Sequence, residues 1–205
     1  VVEGIVTIDD YDVHVRGFGN HAGTTPMADR RDALVAASQV VLAVQQIANS
    51  EPGAQVGTVG QMTVKPNAPN VVPGDVEVTV EFRDLDGAKV ARLGAALKQG
   101  CAEIAKATNT EIEVKFTSRH EGARATPSIQ AAIEKAATSL SLRTMRLPSG
   151  AGHDAQAIAT LGPMGMIFVP SVAGISHSPR ELSRWNDIAQ GADVLMATIL
   201  ELDAS

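Results

Sequence analysis

The sequence predicts an α/β protein in two parts, and three observations predict it. Segments with strict two-residue alternation of apolar and polar side chains recur through residues 1–118, separated by two stretches with helical spacing. Beyond that point helical stretches alternate with short, wholly apolar runs, the pattern of strands covered on both faces. Glycine-rich loops carrying histidines follow those runs. With 205 residues and 44% hydrophobic side chains, the chain can bury a real core in one large domain or two small ones.

Tyr11, Val13 and Val15 alternate with Asp12, His14 and Arg16, which predicts a half-buried strand. A loop rich in Gly, Thr and Pro occupies 17–27, and a helix is predicted over 32–48. There Leu34, Ala37, Val41, Val44 and Ala48 form one stripe. Val40, Ala43 and Ile47 widen it beyond one face, so this helix is expected to be covered on more than one side. Residues 53–64 read as a strand after a Pro-Gly turn. Val76, Val78, Val80 and Phe82 alternate with Glu77, Thr79, Glu81 and Arg83, the strongest strand signal in the chain. Val90, Leu93, Leu97, Cys101 and Ile104 make a narrow helical stripe. Ile112, Val114 and Phe116 then alternate with Glu111, Glu113 and Lys115. The order strand, helix, strand, strand, helix, strand is the βαββαβ unit of ferredoxin-like folds, with one sheet face under two helices and the other polar and open. It is expected to end near Ser118.

Residues 119–205 read as part of a parallel-sheet α/β domain. A short amphipathic helix is predicted over 128–140 and a short strand over 143–147. A Gly-rich turn at 150–152 leads into a helical start at 154–160, and the apolar run 164–169 has the length of a fully buried strand. A terminal helix over 184–203 is expected to bury Ile188, Ala192, Leu195, Met196 and Ile199. Two or three strands are too few for such a sheet. The opening Val1-Val2-Glu3-Gly4-Ile5-Val6 has neither an initiator Met nor signal-peptide character, so further strands are expected upstream.

A net charge of −6 with mixed signs is a poor match for a nucleic-acid backbone or an anionic membrane. At 3% aromatic residues the chain offers no base-stacking platform. No apolar run approaches the roughly 20 residues of a membrane span. The single cysteine, Cys101, excludes an internal disulfide and fits a reducing compartment, so a cytoplasmic location is expected.

Three regions hold more polar and glycine residues than packing requires. In Asn20-His21-Ala22-Gly23-Thr24-Thr25-Pro26-Met27, glycine lets backbone amides approach a ligand beside His21; the plainer reading is a surface loop with a solvated histidine. The second is Asn67-Ala68-Pro69-Asn70-Val71-Val72-Pro73-Gly74, leading to Phe82-Arg83-Asp84. Arg83 shares the polar sheet face with Glu81 and Thr79. Its guanidinium suits either a ligand carboxylate gripped by two hydrogen bonds or an ion pair with Glu77, Glu81 or Glu113. Asn70 alone reads as a turn residue. The third is a pair of loops, Ser149-Gly150-Ala151-Gly152-His153-Asp154 and Gly174-Ile175-Ser176-His177-Ser178-Pro179, each with a histidine after an apolar strand, where open α/β sheets bind ligands. A neutral imidazole at 177 is a natural zinc ligand, but a zinc site needs three or four.

Five motifs occur in a specific order: His21-Ala22-Gly23-Thr24-Thr25-Pro26-Met27 with Arg30-Arg31-Asp32; Asn70-Val71-Val72-Pro73-Gly74; Ser149-Gly150-Ala151-Gly152-His153-Asp154-Ala155; Phe168-Val169-Pro170-Ser171; and Gly174-Ile175-Ser176-His177-Ser178-Pro179. Together they resemble the allantoate amidohydrolase and N-carbamoyl-L-amino-acid hydrolase branch of the zinc aminoacylase-like metallopeptidases, over essentially the whole chain. The resemblance implies a catalytic α/β domain around two divalent metal ions (Zn, Mn, Ni or Co) with an inserted ferredoxin-like lid that forms a homodimer. Residues 1–118 resemble the lid and 119–205 the last part of the catalytic domain. His177 then resembles the C-terminal metal ligand. His21 resembles the lid histidine that reaches the other subunit's site and polarises the scissile carbonyl. Asn70 and Arg83 resemble the substrate-binding pair, and Gly152 and His153 resemble pocket-lining positions.

The family's His-x-Asp motif, bridging Asp, Glu-Glu pair and second metal-binding His are not among these residues. The chain alone is therefore expected to bind no metal pair and to be inactive. For the parent, the expectation is metal-dependent hydrolysis of a carbamoyl or ureido C–N bond in a small carboxylate substrate. The rivals are a bare dimerisation module, expected to pair through the helix 32–48 and an edge strand, and an aminoacylase or dipeptidase of the same superfamily.

Overall fold

The computed structural model describes residues 1–204. Its elements in chain order are β1 (Val2–Ile5), β2 (Thr7–Arg16), β3 (Asn20–His21), α1 (Ala33–Ala48), β4 (Val56–Lys65), β5 (Val71–Val72), β6 (Asp75–Asp84), α2 (Gly87–Thr108), β7 (Glu111–His120), β8 (Ala123–Arg124), α3 (Pro127–Ser139), β9 (Leu147–Ser149), α4 (Ala155–Ile158) and α5 (Trp185–Asp203). They divide into two units, Thr7–Glu121 and Val1–Val6 with Gly122–Ser205. The division falls three residues after the expected end at Ser118, and Val1–Val6, expected with the first domain, groups with the second. The expectation missed β1 because four residues are too few for alternation to stand out.

In Thr7–Glu121 the strands lie in the order β4-β6-β2-β7, antiparallel throughout, which is the ferredoxin-like arrangement. Alternation dictates which side chains face inward. Tyr11, Val13 and Val15 on β2 and Val76, Val78, Val80 and Phe82 on β6 are buried with Val40 and Val44 of α1 and Leu93, Leu97 and Cys101 of α2. Asp32 caps α1, its Oδ1 accepting the Leu34 and Val35 N–H groups at 2.9 and 3.1 Å. At Gly94 a Cβ would sit 1.8 Å from the Tyr11 hydroxyl, so only glycine lets α2 lie this close to the sheet. Asp9 is buried on β2, and Arg119 of β7 grips it with Nε–Oδ1 at 2.6 Å and Nη2–Oδ2 at 2.8 Å. Within one chain α1 packs on the sheet and against α2, and Val35 and Leu42 stay exposed.

In the other unit β1 lies between β8 and β9, antiparallel to the first and parallel to the second. α3 packs on α5 around Ile133, Ala136, Ala137 and Val194, with Val1 beneath. Three sequence expectations are corrected here. The strand expected over 143–147 pairs instead at Leu147–Ser149, where β1 offers a partner. The run 164–169 is not a ladder strand. Because β8 and β9 already flank β1, the run makes single backbone bonds, from Val2 N–H to Met166 O and from Thr126 N–H to Met164 O, and buries only Met164. In α5 the buried residues are Val194 and Thr198, whereas Ile188, Ala192, Leu195, Met196 and Ile199 are exposed. The face of small residues wins because it permits close approach: a Cβ on Gly191 would meet Val169 Cγ1 at 2.4 Å.

Candidate active-site residues

The His21 loop is held by backbone rather than by burial. Gly17 N–H donates to Gly74 O and Phe18 N–H to Arg31 O, both at 2.8 Å. A Cβ on Gly17 would lie 1.9 Å from Arg31 O, so this crossing requires glycine. The β3–β5 ladder then sets Asn20 opposite Val72 and His21 opposite Val71, and Ala22 N–H donates to Asn70 O at 2.9 Å. His21 and Asn70, far apart in sequence, are thus brought together by this ladder and the bond at its end. Arg30 ties the loop from within, with Nε donating to Thr25 O at 3.1 Å and Nη2 to Ala22 O at 2.6 Å. Gly23 N–H donates to His21 Nδ1 at 2.9 Å, so Nδ1 carries the lone pair and Nε2 the proton of the neutral ring. His21 is exposed and presents Nε2–H as a donor.

Arg83 lies on β6, at the end of the four-stranded sheet away from that ladder. Its position on β6 is opposite Ile8 of β2, whereas Asp75, opposite Arg16, begins β6 beside the His21 and Asn70 loops. Arg83 stands eight residue steps along the strand from Asp75, about 27 Å at the usual rise per residue. The unit therefore brings His21 to Asn70 but not Arg83 to either. The Arg83 fork is engaged by Glu81, with Nε–Oε1 at 2.6 Å and Nη2–Oε2 at 2.7 Å, and this bond raises the guanidinium pKa further.

In the other unit His153 follows the carboxyl end of β9 and precedes α4. Its Nε2 lies 2.8 Å from Ser149 Oγ, its backbone N–H donates to Gln156 Oε1 at 3.0 Å, and its ring lies 5.7 Å from that of Phe168. Gly152 leads into it, where an added Cβ would crowd Gln156 Oε1 at 3.2 Å. His177 is exposed in a loop, with a left-handed φ of 54° that a non-glycine residue adopts at some cost. Its backbone N–H donates to Glu181 Oε2 at 2.9 Å.

Among the described residues one group has the spacing for a cation: His14, Asp75 and Glu77 on the polar sheet face. His14 Nε2 is 2.6 Å from Asp75 Oδ2, and this bond lowers the Asp75 pKa. The Lys65 ammonium already lies 3.4 Å from Asp75 and 3.3 Å from Glu77. None of the residues expected from the sequence belongs to it, and no group of three ligands surrounds His177 among the described residues. Among the described residues there is thus one candidate group and no second beside it, as a two-metal centre needs. Sequence reading gave no supporting role to Arg30, Ser149 or Glu181, and offered Glu81 as one of three ion-pair partners for Arg83, the one that the structure shows. Glu81 was visible as a neighbour of Arg83 on the polar face; the other three were marked only by lying within or beside the glycine- and histidine-rich loops.

The sequence pattern of peptidase family M20/M25/M40 matches residues 17–201. The chain is 36% identical to an N-carbamoyl-L-amino acid amidohydrolase of Geobacillus stearothermophilus over 202 residues, 98% of this chain and 49% of the relative. It is 33% identical to the allantoate amidohydrolase of Escherichia coli over 202 residues, with the same shares of 98% and 49%. A crystal structure of a hydantoinase/carbamoylase-family amidase from Burkholderia multivorans superposes with a TM-score of 0.93 at 38% identity, covering 98% of this chain and 49% of that one. The chain thus spans about half the length of these relatives.

Proposed function

Because this chain belongs to peptidase family M20/M25/M40, we propose that it forms part of an amidohydrolase that cleaves a carbamoyl or ureido C–N bond beside a free carboxylate. The observation that carries the reading is the His21 ring. A dedicated ladder holds it next to Asn70, and the Gly23 N–H turns its proton outward on Nε2, the donor a carbonyl oxygen needs as it gains charge. Asn70 and Arg83 bind and orient the carboxylate end, with Glu81 holding the Arg83 fork until substrate replaces it. Gly152 and His153 line the pocket. In a protein of the relatives' length, His177 contributes one ligand to a pair of divalent ions that supply the hydrolytic nucleophile. The described residues do not complete that pair.

The distance along β6 supports a homodimer. With His21 and Asn70 at one end of the sheet and Arg83 at the other, we propose that one site takes His21 from one copy and Arg83 from its partner. The exposed Val35 and Leu42 of α1 and the open edge of β4 supply the pairing surface. Among the described residues no helix is long and apolar enough to cross a membrane.

The test is ammonia release from N-carbamoyl amino acids and from allantoate, with dipeptides as the rival substrates. Turnover of the ureido compounds is expected from a protein of the relatives' length and none from these 205 residues alone. Arg83→Lys should weaken substrate binding and leave metal content unchanged; loss of metal with intact binding overturns the Arg83 assignment. Preference for dipeptides overturns the substrate class. Light scattering tests the dimer, and a monomer at working concentration refutes it.

A further inference from the structure

We propose that Ser149 is a positioning residue that fixes His153 in the tautomer protonated on Nε2, leaving Nδ1 as a bare acceptor for an N–H group of bound substrate. The identity of that substrate rests on the amidohydrolase reading, whereas the tautomer rests on Ser149 alone.

The argument is a count of protons. A serine hydroxyl has one. Ser149 Oγ lies 2.9 Å from the Ala151 carbonyl oxygen, which can only accept, so the hydroxyl proton points there. Oγ also receives the Ala151 N–H at 3.2 Å. Toward His153 Nε2, at 2.8 Å, it therefore presents a lone pair, and the imidazole must supply the proton of that contact. The opposite tautomer would turn the hydroxyl toward Nε2 and give up its hydrogen bond to the Ala151 carbonyl.

The rest of the environment keeps the ring in place. Phe168 lies against it, and Gln156 brackets the residue by accepting its N–H through Oε1 and donating its own backbone N–H to the His153 carbonyl at 2.9 Å. Nδ1 is left to receive a donor. His21 has the same neutral tautomer with the opposite use: its Nδ1 is occupied by Gly23 N–H and its Nε2–H is presented. An acceptor at Nδ1 suits an N–H of an amide or ureido group. A protonated His153 would lose the acceptor, so the role belongs to the neutral ring.

Long-range 1H–15N spectra of the 15N-labelled chain, recorded above the histidine titration range, test the inference. The His153 signals are assigned with His153→Gln. The expected wild-type result is a single tautomer with Nε2 protonated, Nδ1 unprotonated and a resolved, protected Nε2–H proton. In Ser149→Ala that proton signal should disappear and the two ring nitrogens should move toward averaged values, while Ser149→Thr restores the wild-type pattern. An Nδ1-protonated or averaged ring in the wild type, or a Ser149→Ala ring unchanged from wild type, overturns the proposal. Should Ser149→Ala fail to fold, the wild-type spectrum decides alone. Failure of the amidohydrolase reading would leave this tautomer untouched and would show only in the turnover assay.

Discussion

The two units treat their apolar side chains in opposite ways. In Thr7–Glu121 the inward positions of β2 and β6 close completely against α1 and α2, and Phe82, Leu97, Val15 and Val76 have no exposed surface. In the unit containing Gly122–Ser205 the two buried clusters are small, while Leu161 and Trp185 are each 85% exposed, and Met196 and Leu200 also stand open on α5. Similar hydrophobicity therefore yields a self-sufficient core in one case and a partly open surface in the other. An apolar side chain is covered only where a second element is present to face it.

The largest effect that would sharpen this contrast is expected from Phe82→Ala. It should cost about 3–5 kcal/mol and strip hydrogen-exchange protection from the β2–β6 ladder. Val194→Ala, in the smaller cluster, should cost about 1–2 kcal/mol and leave the β2–β6 amides protected. Equal losses of protection in both units for either variant would mean that the chain unfolds as one, and the contrast would break. Gly94→Ala comes next. Its methyl must push the Tyr11 hydroxyl aside, and a loss of about 1–3 kcal/mol by denaturant titration is expected.

Tyr11 offers a pH test confined to the closed unit. Burial, followed by the charge and hydrogen bond of Asp9, pushes its phenol from 10 up to about 12. The raised value favours the folded state fully below pH 10, and that contribution falls away as pH rises from 10 through about 12. Because Tyr11 is the only tyrosine, its absorbance follows it alone; ionisation near 10 in the folded protein would contradict the burial. Asp32→Ala removes the α1 cap and should cost about 1 kcal/mol, read as a lower denaturation midpoint. The smallest effect is expected from Leu195→Ser on the open face of α5, within about 0.5 kcal/mol of the parent; a large loss would mean that this face is covered.

The legibility of the site followed the same division. His21, Asn70, His153 and His177 stand in glycine-rich motifs because close backbone approach leaves a trace in the sequence. Their partners left little. Arg30 reaches two carbonyl groups of its own loop, and Ser149 sits buried beneath the histidine four residues later. Such roles depend on where a chain turns back on itself. The Arg83 alternatives were both chemically sound, and only the folded sheet shows the Glu81 carboxylate in the fork.

Period and order in the sequence determined the ferredoxin-like unit: alternation assigned the inward faces of β2, β6 and β7, and the helical stripe of α2 assigned its buried side. The strands pair along long antiparallel ladders and α2 packs on them, so local spacing carries the answer. Tertiary structure decided the rest. It chose which of two apolar faces α5 buries, kept the run 164–169 out of a ladder because β1 already had two neighbours, and separated Arg83 from His21 along the strand. Those outcomes depend on competition among distant segments for the same surfaces, which no local period encodes.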